Sequence, residues 1–351
     1  MTALENRIET ILSDELAEAR ASSGALGYVG VDIPADLLLA SGRFICHLPW
    51  RADRDTPVAD RWLEDSFAPW ARSMLEDWAS GRFDCLESVI FSRGNDSAQR
   101  LYYYVCELKR LRHIDGPTPL IFDVAKIERK SSVERTVNSV RRLADQLDIG
   151  DLRLKAGIDA ANRRRALFAR VQKQRSGPGS LYERIARATL FAALDEELES
   201  HKPGPIDEAP KILLAGSAPP DDRLHLAVEA AGCVVCAESY ERGLQRLGPL
   251  NIADPDDPAA AIGKHAHRLC TGSRSFVDRA AQVVETARNA GADGVIVWLT
   301  EDDEAPTWTI PSQRSALDAA GIPALIATGR RWDASDGIVE DIAAFLLGIE
   351  S

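Results

Sequence analysis

Short apolar runs alternate with amphipathic segments in two blocks of this chain, and between the blocks lies a stretch that reads as helix alone. Strands joined by intervening helices run parallel, and a parallel sheet must be covered on both faces. The first block opens with a helix over residues 1–20, its apolar positions Ile8, Ile11, Leu12 and Leu16 at helical spacing. Strand, turn and helix follow over 24–42, then a short strand around 44–50 and a helical segment over 59–80 that Pro69 should break. Strands at 85–92 and 119–125 flank a helix over 98–111, and a further helix covers 131–147. From 151 to 200 two helices are separated by Ser176-Gly177-Pro178-Gly179. Alternation resumes with strands at 211–216, 233–239, 294–300 and 322–328, between helices that end on Gly232, Gly291 and Gly321. The fold expected is α/β, with two doubly wound parallel-sheet lobes (residues 1–150 and 206–351) joined by a helical connector (151–205).

Several function classes drop out. The net charge of −12 argues against a general nucleic-acid binder, which needs clustered cations for phosphate, although Arg163, Arg164, Arg165, Arg170, Lys173 and Arg175 gather in the connector. No apolar run approaches the roughly 20 residues that span a bilayer, and the acidic N-terminus lacks the pattern of a secretory signal; the expected location is cytoplasmic, with no membrane partner. Of the cysteines Cys46, Cys85, Cys106, Cys233, Cys236 and Cys270, only Cys233 and Cys236 have redox or zinc spacing. They sit in an apolar strand, without the helix N-terminus that activates a redox thiol or the second pair that completes a zinc site. His265 and His267, two apart on a helix, point to different faces. No dinucleotide or P-loop fingerprint, HExxH or GxSxG is present.

Ligands of open α/β sheets bind beyond the carboxyl ends of the strands. Those ends carry Arg93 to Ser97, Ala215-Gly216-Ser217, Glu238-Ser239 and the acidic run Glu301-Asp302-Asp303-Glu304. Asp96-Ser97 and Gly216-Ser217 are expected at helix N-termini, where free N–H groups attract anions, although capping alone explains such residues. Arg72 and Arg100 are candidate partners for a phosphate or carboxylate, or else surface ion-pair residues. The acidic run suits a hard cation or, more simply, a solvated loop. Asp96, Asp303 and Glu304 are the candidates for acid–base work.

In order and spacing, these segments resemble the 2-hydroxyacyl-CoA dehydratase family, which includes the catalytic subunits of ATP-dependent benzoyl-CoA reductases. The likeness rests on Gly27-Tyr28, Ile33 to Leu38 with Ala40-Ser41-Gly42, Ala68 to Ser73, Asn95-Asp96-Ser97 with Arg100 to Tyr103, Ile158 to Ala166, Leu213 to Ser217, Gly294-Val295-Ile296 and Gly321-Ile322-Pro323. The resemblance implies paired subunits that bind acyl-CoA between lobes, an iron–sulfur cluster held by cysteines, and an ATP-hydrolysing activator that delivers electrons. The candidate substrate-binding residues are Tyr28, Arg72, Asn95, Ser97, Arg100, Gly216 and Ser217. At the positions where relatives carry the cluster cysteines this chain has Ala68, Asn95 and Asp303. Clusters are held by thiolate sulfur, and Cys270 alone would not hold one. No cofactor is therefore expected in this chain, leaving room for a cluster in a partner. The reading is a dehydratase or reductase subunit that shapes an acyl-CoA cleft without its own cluster. The alternatives are a stand-alone acyl-CoA enzyme using cleft carboxylates, or a non-catalytic scaffold. The partner is a paralogous subunit or a second copy, and Tyr102, Tyr103 and Tyr104 suggest an aromatic contact patch. Anaerobically purified protein should be colourless; stoichiometric iron and acid-labile sulfide would overturn this expectation.

Overall fold

The computed structural model describes residues 2–125, 127–202, 209–252, 254–269 and 277–349. The first half runs α1 (Ala3–Ser13), α2 (Ala17–Ala21), β1 (Ala25–Val29), α3 (Ala35–Ala40), β2 (Ile45–His47), α4 (Pro69–Ala79), β3 (Leu86–Ser92), α5 (Asp96–Arg110), β4 (Thr118–Phe122) and α6 (Lys130–Gln146). The connector supplies α7 (Asp151–Lys173), α8 (Gly179–Ala188) and α9 (Asp195–Ser200). The second half runs β5 (Lys211–Gly216), α10 (Arg223–Ala230), β6 (Val234–Ser239), α11 (Pro258–Arg268), α12 (Arg279–Ala290), β7 (Gly294–Thr300), α13 (Ile310–Ala320), β8 (Ala324–Arg330) and α14 (Ile338–Leu347). No helix among the described residues is long and apolar enough to cross a membrane.

The strands form two parallel sheets of four, ordered β2-β1-β3-β4 and β6-β5-β7-β8. The same winding is used twice, as the alternation requires. β3 and β7 are buried along almost their whole length, with only Glu87 exposed, because helices cover both their faces. In the first sheet Val89 and Phe91 pack under α4 and α5, while Leu26 and Ile90 pack under α3 and α6. In the second, Ile212 and Trp298 meet α10 and α14, while Leu213 and Val297 meet α12 and α13. Pro69 opens α4 at its first turn rather than interrupting a longer helix, since the missing N–H costs nothing there. The N-terminal segment divides at Asp14–Leu16 into α1 and α2 and is not one helix. The three tyrosines do not form a patch: Tyr102 and Tyr104 pack against the core, and Tyr103 alone is exposed.

The connector is structural rather than a tether. At 23 residues, α7 is about 35 Å long, and it touches both halves. Gly157 lets it approach α3 closely, because a Cβ there would lie 2.3 Å from the Asp36 carbonyl oxygen. About two turns further on, the arginine fork of Arg165, buried with Asp36, meets it at 3.0 and 2.5 Å. Arg165 also donates to the Leu247 carbonyl at 2.9 Å and to Asn162 at 3.0 Å. Asn162 and Asn251 exchange two bonds of 2.8 Å, and Asn251 donates to Asp36 at 3.0 Å. A residue from the first lobe, two from the connector and a loop of the second half thus share one buried polar node.

The division of the chain at residue 205 does not coincide with the packing. α11, from the second half, lies against α6 and α7 and sends Ala259, Ala261 and Ile262 into the core of the first sheet. α1 in turn packs with α8 and α9 in a core that includes Ile8, Phe168 and Ile185. Removing one member of a buried ion pair strands the other, which costs about 3–5 kcal/mol. Asp36→Ala should lose stability of that order in urea unfolding, and the double change Asp36→Leu with Arg165→Met should lose less.

Candidate active site

In each sheet the chain leaves the first strand for one neighbour and returns on the other side, so the order reverses between β1 and β3 and between β5 and β7. Such switch points open a crevice at the carboxyl ends. Both crevices face a single cavity of about 270 Å³ between the lobes. Its apolar wall comes from the first lobe, with Trp50, Trp70 and Met74; its charge comes from the second, with Glu241, Arg242, Arg246, Arg279, Asp302 and Asp303.

On the first-lobe side, Ala68 precedes Pro69 at the start of α4, and its N–H donates to Ser97 Oγ at 3.5 Å. Asn95 caps α5 by accepting from the Ala98 N–H at 3.0 Å. The cap is therefore Asn95 and not Asp96. His47 lies behind this wall. Its Nδ1 faces the Leu48 carbonyl at 2.6 Å and its Nε2 faces the Gly30 N–H at 3.4 Å, which fixes a neutral ring with the proton on Nδ1. Burial and the charge of Arg242 hold it down to about 3. Tyr28 packs edge-on against His47, with centroids 5.0 Å apart, outside the cavity lining; burial pushes its phenol up.

On the second-lobe side Gly216 has a φ of +107°, and a Cβ there would lie 2.2 Å from the Trp298 carbonyl oxygen. The turn brings the Ser217 N–H to that same carbonyl at 2.8 Å. Ser217 Oγ accepts from the Thr300 N–H at 3.1 Å and donates to Asp303 Oδ2 at 2.9 Å. Burial raises the Asp303 carboxyl, while the Ser217 bond and the nearby Arg279 oppose the shift. Gly216-Ser217 is not a helix N-terminus: α10 starts at Arg223, because Pro219 and Pro220 disfavour helical backbone just before them.

The floor is built on ion pairs. Glu238, at the end of β6, is held by Arg175 through two contacts of 2.7 Å and lies 3.2 Å from His225. Its carboxyl falls to about 2, because the Arg175 and His225 contacts outweigh burial. Arg242 lies under Trp50 and donates to the Ala218 and Pro219 carbonyls at 2.9 and 2.6 Å. Arg246 bonds Thr189 Oγ1 at 2.8 Å, and burial lowers it to about 10. Glu241 stands apart: among the described residues its carboxylate takes part in no hydrogen bond or ion pair. Burial pushes it up to about 7, the charges of Asp303 and Asp32 add to this, and Arg242 and Arg279 oppose it.

The sequence candidates therefore separate. Ala68, Asn95, Ser97, Gly216, Ser217, Asp302 and Asp303 line the cavity. Asp96, Glu301 and Glu304 are exposed and outside the lining. Arg72 binds Asp60 at 2.6 Å and the Glu64 carbonyl at 2.5 Å, and Arg100 binds Glu64 at 2.5 Å over the Phe67 ring; both are surface ion-pair residues. The acidic run divides, and no group of three metal-ligating side chains occurs among the described residues. His265 faces the Pro249 carbonyl at 2.8 Å rather than sharing a ligand with His267. Cys233 is buried, and burial pushes the Cys236 thiol up to about 11. Cys270 lies outside the described residues. Sequence reasoning missed Glu241, Arg242, Arg279, His47 and the two tryptophans.

A cleft between two doubly wound lobes, apolar on one side and charged on the other, defines an α/β protein of the ligand-enclosing type. The family described as 2-hydroxyglutaryl-CoA dehydratase, D-component, matches residues 31–346, and the chain belongs to that family. A comparison with curated proteins finds no match. The donors in this cleft do not suit the iron–sulfur cluster that the resemblance implies. Ala68 offers a methyl group, Asn95 is spent on its cap and Asp303 is bonded to Ser217, while none of the five described cysteines lines the cavity. Gly216→Ala would impose a side chain on a left-handed residue, at about 1–3 kcal/mol before any clash with Trp298. A fall in the unfolding midpoint by at least that equivalent, measured by thermal denaturation, is expected.

Proposed function

We propose that this chain is a subunit of a 2-hydroxyacyl-CoA dehydratase-like or benzoyl-CoA reductase-like system, in which it shapes an acyl-CoA cleft without an iron–sulfur cluster of its own. The observation that carries this reading is the single cavity to which both sheets turn their carboxyl ends, at the positions Ala68, Asn95 and Asp303 where the resemblance expects cluster cysteines. Family membership supports a dehydratase component. The cavity is small for a whole coenzyme A and suits the acyl end of a thioester, with the nucleotide outside. Trp50, Trp70 and Met74 offer an acyl chain apolar surface, and Arg242 and Arg279 offer the thioester oxygen or a chain carboxylate positive charge. The partner in this reading is a paralogous subunit or a second copy.

A second reading, a stand-alone enzyme that works through cleft carboxylates, is favoured by Glu241, a carboxylate in the cavity that makes no ion pair among the described residues. Both readings require thioester binding. Calorimetric titration with coenzyme A, acetyl-CoA and butyryl-CoA should give saturable binding that is stronger for the thioesters. Arg279→Ala should weaken it by roughly 10- to 100-fold, the equivalent of one charge-assisted hydrogen bond. Arg72→Ala and Arg100→Ala should leave it unchanged. No binding at millimolar ligand would remove the acyl-CoA reading.

A further inference from the structure

We propose that Glu241 is the general base of this cleft and removes the proton α to the carbonyl of a bound thioester. The inference rests on the second reading above, an acyl-CoA enzyme that works through cleft carboxylates, and gives it a reaction. Among the cavity carboxylates, Glu238 is tied to Arg175 and His225, and Asp303 to Ser217. Asp302 is exposed at the mouth. Glu241 lines the same cavity with no hydrogen-bond or ion-pair partner among the described residues.

Glu241 is half-buried, and its carboxylate stays accessible from the cavity that it lines. With no partner among the described residues, its lone pairs are left for whatever enters. The groups facing it come from four elements: Arg242 beside it after β6, Asp303 after β7, Arg279 at the start of α12, and Asp32 across the cleft after β1. The two carboxylates and burial favour its protonated form; the two arginines limit that effect. A group balanced in this way accepts and returns a proton near neutral pH.

The chemistry follows from what the site holds. A thioester carbonyl acidifies the hydrogens on the adjacent carbon, so a carboxylate can take one and leave an enolate. The enolate charge falls among Arg279, Arg242 and the N-terminus of α5, which the Asn95 cap leaves facing the cavity. If the next carbon bears a hydroxyl, the enolate collapses to an alkene as that C–O bond breaks. The proton on Glu241 then passes to the departing oxygen, which leaves as water. Atoms and electrons balance without an oxidant or a reductant. A hydroxyl on the α carbon itself cannot leave by this route, because the hydrogen that must go lies on the β carbon, which the carbonyl does not acidify. The substrate class assigned to this cleft is therefore the 3-hydroxyacyl or enoyl thioester.

The test uses the full-length chain and butyryl-CoA, which has exchangeable α hydrogens and no leaving group. In D₂O, proton NMR should show loss of the α-hydrogen signal with intact protein, at a rate that rises as Glu241 deprotonates through about pH 7. Glu241→Gln should slow exchange by at least about 100-fold, with butyryl-CoA affinity within about threefold of the parent by calorimetry. Glu241→Asp, which keeps the carboxylate, should fold and retain a pH-dependent fraction of the rate. Asp318→Asn, an exposed carboxylate change away from the cavity lining, should exchange as the parent does. Binding without exchange, or exchange undiminished in Glu241→Gln, would overturn this inference and leave the acyl-CoA cleft standing. Absence of binding would overturn both.

Discussion

Arg165 and Asp36 are charged groups taken almost wholly out of water, and the relation between the two halves of this protein depends on their being paired there. Neither charge could be buried alone. The pair is also completed by groups from elsewhere: the Leu247 carbonyl on the outer side of the guanidinium and Asn251 on Asp36. The loop after β6 therefore cannot leave α7, and α7 cannot leave α3, without stranding a polar group. That fixes the angle at which the second sheet presents its carboxyl ends to the first.

The consequence is a cleft with two unlike walls. The first lobe supplies aromatic and apolar surface, together with a neutral histidine locked between two backbone groups. The second supplies nearly all the charge. Its turn after β5 is forced by Gly216, whose missing side chain lets the chain pass the Trp298 carbonyl and lets Ser217 join Thr300 to Asp303. Around Glu241 the balance of arginines and carboxylates decides how readily a proton comes and goes. On the cavity wall stand the alanine Ala68, the capping amide of Asn95 and the bonded carboxylate of Asp303.

The alternation of runs was enough to read both sheets and the connector, because parallel strands must be separated by covering helices. It also placed Asn95, Ser97, Gly216, Ser217 and Asp303 at strand ends that meet in the cleft. Arg100 and Asp96 were misplaced for a reason of helix geometry: residues four apart share a face, and that face of α5 is the solvent side. Glu304 lies one residue past the chain's return from the cavity, and a run of four carboxylates gives no sign of where that happens. Glu241 belongs to no motif. Its character comes from burial beside Asp303 and Asp32, far from it in sequence, and no local pattern records that. α11 was equally silent, since Pro258-Ala-Ala-Ala-Ile262 owes its place to close packing against α6 rather than to a broad apolar face.

The path of α11 also bears on how the protein is made. Ala259, Ala261 and Ile262 complete the apolar cluster on one side of a sheet whose last strand ends at Phe122, packing against α6 and α7. During synthesis that surface of α6 and α7 stays uncovered while more than a hundred further residues are added. The core of the first lobe is therefore completed only after α11 has been made, unlike that of N-terminal domains that fold as units during synthesis. The nascent chain must shelter an unfinished apolar surface until the second half has begun to emerge.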